Sequence, residues 1–279
     1  MIPFVKMAGC GNDFVLIAAE DLPSGVDLSA LGSAVCAAGT GLGADGLVVL
    51  RPGKADGADF SVRIINRSGL PAEMCGNAAR CIARHAVATG LAPLSHSFLT
   101  DAGLVHARVG GAMVEVDLPD PSPLKRDVKV EADGGAWRLD VIHVGVPHAV
   151  LWWDEIETAP VGTLGRSLRQ SAIFPAGANI NFAAIRNGRI RVRTFERGVE
   201  AETLACGTGS VASAISAQQR GLASPPVEVI TTHGGLLTVS FTIEPGGARH
   251  VVLAGPTTYV AEGRLLDEWL ASSGSDARS

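Results

Sequence analysis

The chain has 279 residues, 47% of them hydrophobic, with 34 glycines and a formal net charge of −5. That length and apolar content suit one large domain or two of about 130–140 residues. With no basic stripe in the sequence, an electrostatic nucleic-acid surface is excluded. The longest apolar run, 141–153, carries two histidines and is too short to cross a bilayer.

Lys6 and Asp13 interrupt the first apolar segment, so no signal peptide is expected. Five thinly spread cysteines, an odd number, read as thiols in a reducing cytoplasm rather than as a disulfide framework.

In chain order, residues 3–21 read as a strand, a Gly-rich turn ending in Gly11-Asn12-Asp13-Phe14, and a second strand. Residues 28–39 are helical by composition and stop at Gly39, and 41–52 form a turn and a buried strand. Residues 58–69 alternate like a strand and lead to a helix over 76–89, apolar at 78/79, 82/83 and 86/87. Strands follow at 96–100, 103–109 and 112–118. The proline-rich stretch 119–127 is the expected crossover between domains, giving 1–119 with 258–279 and, separately, 120–257. Further strands are expected at 128–132, 136–143 and 146–152, then a helix near 161–171. Strands at 180–186 and 189–195 feed a helix over 207–220, followed by strands at 227–231, 235–243 and 249–254. A short helix near 265–271 and a frayed tail at 272–279 complete the reading.

One arrangement occurs twice. SVRIINRSGLP followed by AEMCGNAARCIARHAVATG (61–90) overlays RVRTFERGVEAET followed by LACGTGSVASA (191–214). Arg63 then falls on Arg193, Asn66 on Glu196, Cys75 on Cys206, Gly76 on Gly207 and Asn77 on Thr208. Each repeat therefore delivers one thiol at the mouth of one helix.

That placement has a chemical meaning. Unpaired N–H groups at a helix N-terminus lower a thiol pKa, and the same groups bind a carboxylate that glycine lets approach closely. Two such ends around one carboxylate would set a thiol on each side of its α-carbon, an arrangement suited to racemisation or epimerisation by two bases. Pyridoxal phosphate is the usual other route to the carbanion, but none of the four lysines has a Schiff-base context, so no cofactor is expected. Cys10, Cys36 and Cys81 read as buried small hydrophobes. Cys81 and His85 stand one helical turn apart, but no second ligand pair at zinc spacing supports a metal. His143 and His148, an odd step apart on a strand, should not share a face. His148 alone is more often structural; opposite Glu196 it could form an auxiliary acid/base pair.

The motifs GCGNDF (9–14), GADGL (43–47), AEMCGNAARC (72–81), GVPH (145–148), NINF (179–182), FERG (195–198) and ACGTG (205–209) together resemble the diaminopimelate epimerases over nearly the whole chain. The resemblance implies an α/β (α+β) fold of two pseudo-symmetric domains. Each is a curved, mostly antiparallel sheet wrapped round a central helix, with the active site in the interdomain cleft. It implies a cofactor-independent interconversion of LL- and meso-diaminopimelate in lysine and cell-wall precursor synthesis. Cys75 and Cys206 become the two bases, with Gly76, Asn77, Gly207 and Thr208 cradling the reacting carboxylate. Asn12, Asn66, Asn179, Glu196 and Arg197 recognise the substrate, Arg197 by its distal carboxylate, and His148 and Glu196 act at the reacting amino group. A homodimer is expected from the resemblance alone, with a small amino acid as the only other partner and no nucleic acid or membrane.

The family most often has Asn where this chain has Val146, Ser68 replaces a usual Asp, Ala78 a common Gly, and the 198–203 loop is one residue longer. Three other readings stay open: a two-cysteine racemase of a different α-amino acid, a cysteine hydrolase using Cys206 with His148, and a non-catalytic anion-binding module.

Overall fold

The computed structural model describes residues 1–72 and 75–273. The chain divides into two compact units, Met1–Val116 together with the chain from Pro256 on, and Asp117–Gly255.

In the first unit the strands are Ile2–Gly9 (β1), Asn12–Ala18 (β2), Gly46–Ala55 (β3), Ala58–Asn66 (β4), Pro71–Ala72 (β5), Ser95–Thr100 (β6), Gly103–Gly110 (β7) and Met113–Asp117 (β8). Its helices are Leu28–Cys36 (α1) and Gly76–Ala88 (α2). The second unit holds Lys125–Ala132 (β9), Gly135–Val144 (β10), Val146–Trp152 (β11), Asn179–Arg186 (β12), Arg189–Glu196 (β13), Ala201–Thr203 (β14), Val227–Ile230 (β15), Leu236–Glu244 (β16) and Gly247–Pro256 (β17). Arg166–Arg169 (α3) and Gly207–Gln219 (α4) are its helices, and the chain then returns to the first unit with Thr258–Leu265 (β18) and Asp267–Ser272 (α5).

The two sheets have the same plan. In the first, β18-β1-β2-β3-β4-β6-β7-β8 pair in that order with senses antiparallel, antiparallel, parallel, antiparallel, parallel, antiparallel, antiparallel. In the second, β9-β10-β11-β12-β13-β15-β16-β17 repeat that series of senses. In both, a short hairpin strand (β5 or β14) pairs antiparallel with the strand that precedes the long helix.

The long helices match as well. α2 and α4 each have 13 residues, and each is buried round most of its circumference. Central burial needs small side chains, and Ala supplies them at the best helix propensity, with Ser adding more at a modest cost. The serine hydroxyls of α4 are satisfied locally, Ser210 donating to Cys206 O and Ser213 to Gly209 O. Both helices close on a left-handed glycine, Gly90 (φ +74°) and Gly221 (φ +69°). In α2 the N–H groups of Gly90 and Leu91 reach Val87 O and Ala86 O; in α4 those of Gly221 and Leu222 reach Gln218 O and Ala217 O. Glycine is favoured there because a Cβ disfavours that backbone conformation.

Each unit has its own apolar cluster beside its helix and sheet. In the first, Leu31, Val35 and Cys36 of α1 pack with Val15, Ile17, Leu47, Val49 and Ile65. In the second, Ile156, Val161, Leu164 and Leu168 pack with Leu151, Ile180, Phe182 and Phe195.

Three sequence readings change. The helix over 161–171 is a wide turn, Val161–Gly165, followed by one α-helical turn, α3. Gly165 lies against the sheet so closely that a Cβ there would stand 2.8 Å from Phe195 Cβ. Residues 258–265 form β18, a strand whose residues are almost all exposed and so show no alternation. His143 and His148 lie on neighbouring antiparallel strands, turned at Gly145, rather than on one strand. Most of the 272–279 tail, like Glu73 and Met74 of the first cysteine motif, falls outside the described residues. Among the described residues no helix is long and apolar enough to cross a membrane.

Candidate active site

Cys75 and Cys206 occupy the same backbone position. Each is the N-cap of its long helix in extended conformation, with φ −140° and ψ 118° at Cys75 and φ −123° and ψ 109° at Cys206. Their carbonyls accept the first helical bonds, from Ala79 N and Ser210 N. Neither side chain caps its own helix. A helix start without a side-chain cap leaves backbone donors for an outside acceptor.

Behind Cys75 the first turn of α2 is set by a polar relay. Arg80, fully buried, donates from Nη1 to Gly76 O at 3.1 Å and from Nη2 to Asn77 Oδ1 at 2.8 Å. Asn77 Nδ2 then donates to Asn12 Oδ1 at 2.6 Å, and Asn12 Nδ2 to Asp45 Oδ2 at 2.9 Å. Asp45 is held by Arg67 at 2.9 Å and by the N–H of Asp13. Asn12 and Asn77 are therefore brought together, whereas Asn66 stands exposed at the end of β4, its N–H bonded to Leu70 O.

Around Cys206 the second unit gathers a different set. Cys206 is 9% exposed, with its Sγ 3.6 Å from Thr208 Oγ1. Asn179 Oδ1 accepts the Arg197 N–H at 2.7 Å, which fixes the backbone just past Glu196. The Arg197 guanidinium donates to Ala176 O and stands in no ion pair with the described residues. His148, fully buried on β11, lies in register with Asn179 of β12. Burial, with His143 and Arg197 adding to it, lowers its pKa to about 3, so the ring is neutral at physiological pH.

The other thiols stand in contrast. Burial pushes Cys36 and Cys81 up to about 12 and raises Cys10 despite Arg80 beside it. His85, the neighbour of Cys81 on α2, is lowered by burial. Among the described residues no group of three or more His, Cys, Asp or Glu side chains could hold a metal ion.

A sequence profile of the family described as diaminopimelate epimerase matches residues 4–121 and again residues 140–260. The chain belongs to the diaminopimelate epimerase family. It is 38% identical to the diaminopimelate epimerase of Hydrogenobaculum sp. over 94% of this chain and 98% of that one. It is 40% identical to the enzyme of that name from Aquifex aeolicus, over 96% and 99% of the two chains. Among solved structures it is similar to a probable proline racemase from Agrobacterium radiobacter, with TM-score 0.70, 16% identity and 96% and 93% of the chains covered. A phenazine biosynthesis protein of the PhzF family from Bacillus anthracis gives TM-score 0.71 at 13% identity, over 95% and 99%. Those two share the fold. Membership of the epimerase family makes the chain an isomerase and agrees with the mixed α+β architecture seen here.

The sequence reading missed three residues, two behind Cys75 in the first unit and one beside Cys206 in the second. Arg80, Asp45 and Asn181 all lie inside motifs quoted for the family, and each acts by hydrogen-bonding another polar side chain. The only signal available beforehand was the i, i+2 spacing of Asn179 and Asn181, which places both on one face of a strand.

Proposed function

We propose that this chain interconverts LL- and meso-diaminopimelate without a cofactor, with Cys75 and Cys206 as the two bases. The observation that carries this reading is the identical backbone setting of the two cysteines in two repeats of a family member. In the forward direction one thiolate removes the proton from Cα, and the electron pair delocalises into the adjoining carboxylate. Backbone N–H groups at the starts of α2 and α4, with Asn77 and Thr208, stabilise the added charge on the carboxylate oxygens. The other cysteine, as thiol, returns a proton to the opposite face. The thiolate and thiol have then exchanged places, and the reverse reaction begins from the other side.

Gly76 and Gly207 give the carboxylate room, and Asn12, Asn66, Asn179 and Glu196 surround the rest of the substrate. Arg197, without an ion pair of its own among the described residues, takes the distal carboxylate as a charge-assisted pair. Thiol chemistry of this kind suits a reducing, cytoplasmic setting.

The test is solvent exchange. In D2O, without pyridoxal phosphate, LL-diaminopimelate is expected to gain one deuterium at Cα as the meso isomer forms. Active, folded protein that leaves Cα unlabelled would discard the reading. Val146, half-buried at the start of β11 where the family most often has Asn, favours a second reading in which another α-amino acid is the substrate. A racemisation screen of free amino acids separates the two, and a best substrate lacking a distal carboxylate would overturn the role of Arg197.

A further inference from the structure

We propose that Asn181 is a positioning residue that holds His148 as the Nε2–H tautomer, so that the ring presents a hydrogen-bond donor to the bound ligand. The inference deepens the function proposed above and rests on it only for what the ligand is.

Asn181 lies on β12 and is fully buried. Its amide orientation follows from its neighbours. Ala149 O, 3.1 Å from Nδ2, is a carbonyl and can only accept, so the NH2 group must face it. On the other side Thr194 Oγ1 donates to Asn181 Oδ1 at 3.0 Å. The remaining amide hydrogen has two acceptors within reach, His148 Nδ1 at 3.3 Å and Asn179 O at 3.5 Å, and we assign it to the nearer. Nδ1 is then the lone-pair nitrogen of the neutral ring, and the ring proton sits on Nε2.

Nε2 is itself buried and has no hydrogen-bond partner among the described residues. A buried N–H without an acceptor is costly, and we take bound ligand to supply the acceptor here. The donor sense restricts what that group is. A carboxylate oxygen or a thiolate can accept from Nε2–H, whereas an ammonium group cannot. His148 is thereby a fixed donor toward a negative or lone-pair atom, in place of an acid/base partner of the substrate ammonium.

Asn181 also stands against the turn that carries the second thiol. A Cβ at Gly209 would lie 2.3 Å from Asn181 Oδ1 and 3.2 Å from Cys206 Sγ. Glycine at 209 lets the amide and the cysteine share one wall of the helix start.

The experiment is long-range 1H–15N NMR of 15N-histidine-labelled enzyme, with the His148 ring assigned by the signals lost in His148→Gln. Wild type is expected to show a protonated Nε2 and a bare Nδ1 throughout the neutral range. A protonated Nδ1 in wild type overturns the inference without any variant of Asn181. In Asn181→Asp the carboxylate accepts from Nδ1–H, so the tautomer is expected to flip and kcat to fall about tenfold or more with KM little changed. A folded Asn181→Asp enzyme that keeps both the tautomer and kcat would also overturn it. Thr194→Val releases only Oδ1 and leaves Ala149 O facing the NH2 group, so Nε2–H is expected to persist there; a flip to Nδ1–H in that variant would overturn amide orientation as the cause. The expected tautomer in a wild-type protein that exchanges no diaminopimelate upholds the positioning role and overturns the proposed substrate instead.

Discussion

Behind Cys75 the first turn of α2 is held by a buried guanidinium, that of Arg80, bonded to Gly76 O and to the side chain of Asn77. At Cys206 the corresponding turn of α4 has the hydroxyl of Thr208 beside the sulfur and the amide of Asn181 against Gly209, with His148 on the far side of that amide. The backbones repeat closely, down to the glycine signals that end each helix. Their surroundings do not. The repeat shares the part that sets where a sulfur sits and differs in the part that braces it. If the two thiols exchange roles in every turnover, as proposed above, one works from a helix start braced by a buried cation and the other from one braced by a hydroxyl and an amide.

The largest effect should come from removing either sulfur. Cys75→Ser and Cys206→Ser are each expected to lower turnover by about 10³-fold or more, with the double variant little worse than either single one, because the pair acts as a unit. Steady-state kinetics in both directions would check this. An active Cys75→Ser enzyme would instead mark a one-thiol hydrolase.

Arg80→Met tests the charged side of the comparison. It leaves Asn77 Oδ1 and Gly76 O without their donor, and a loss of about 3 kcal/mol in urea unfolding is expected. Turnover should fall by about 10²-fold as Asn77 and Asn12 lose their alignment. An equal effect on a half-reaction assigned to Cys206 alone would argue that the relay serves the whole molecule rather than one thiol.

In the second unit, α4 is anchored at its far end. Asp140, fully buried on β10, takes Arg220 Nε at 2.6 Å and accepts from the Ser216 hydroxyl. Burial alone would raise its pKa, but the hydrogen bonds from Arg220, Ser216 and the Asp127 N–H outweigh it and hold the carboxyl below its ordinary value. A depressed carboxyl contributes stability above its unfolded pKa of about 4 and loses it as pH falls through the lower folded value. Asp140→Asn should therefore cost about 2 kcal/mol at neutral pH and show a flatter acid limb below about pH 4 in thermal melts. The smallest effect is a null one. Iodoacetamide at mildly alkaline pH should leave Cys36 and Cys81 unmodified, since burial keeps both protonated there, and peptide mass mapping would show it.

The repeat was legible because it is written in residue types of narrow purpose: Cys followed by Gly at a helix start, Gly at a helix end, alternation along 58–69. The same signals located α2, α4 and the strands before them. β18 escaped because its exposed residues carry no alternation. The helix expected over 161–171 is a wide turn and one α-helical turn, with Gly165 pressed against Phe195, a packing contact that propensity does not report. Arg80 and Asn181 were missed for a related reason. Their roles lie in which buried polar atom meets which, and a sequence lists such residues without their partners.

The return of β18 to pair with β1 also bears on how the chain comes off the ribosome. The unit spanning Asp117–Gly255 is continuous and can assemble as soon as it emerges, whereas the one that begins first must wait for an outer strand encoded some 250 residues downstream. During that interval the edge of β1 that β18 will cover is a vacant template for stray strands, and nascent chains arrested before residue 258 should be the ones that chaperones hold longest.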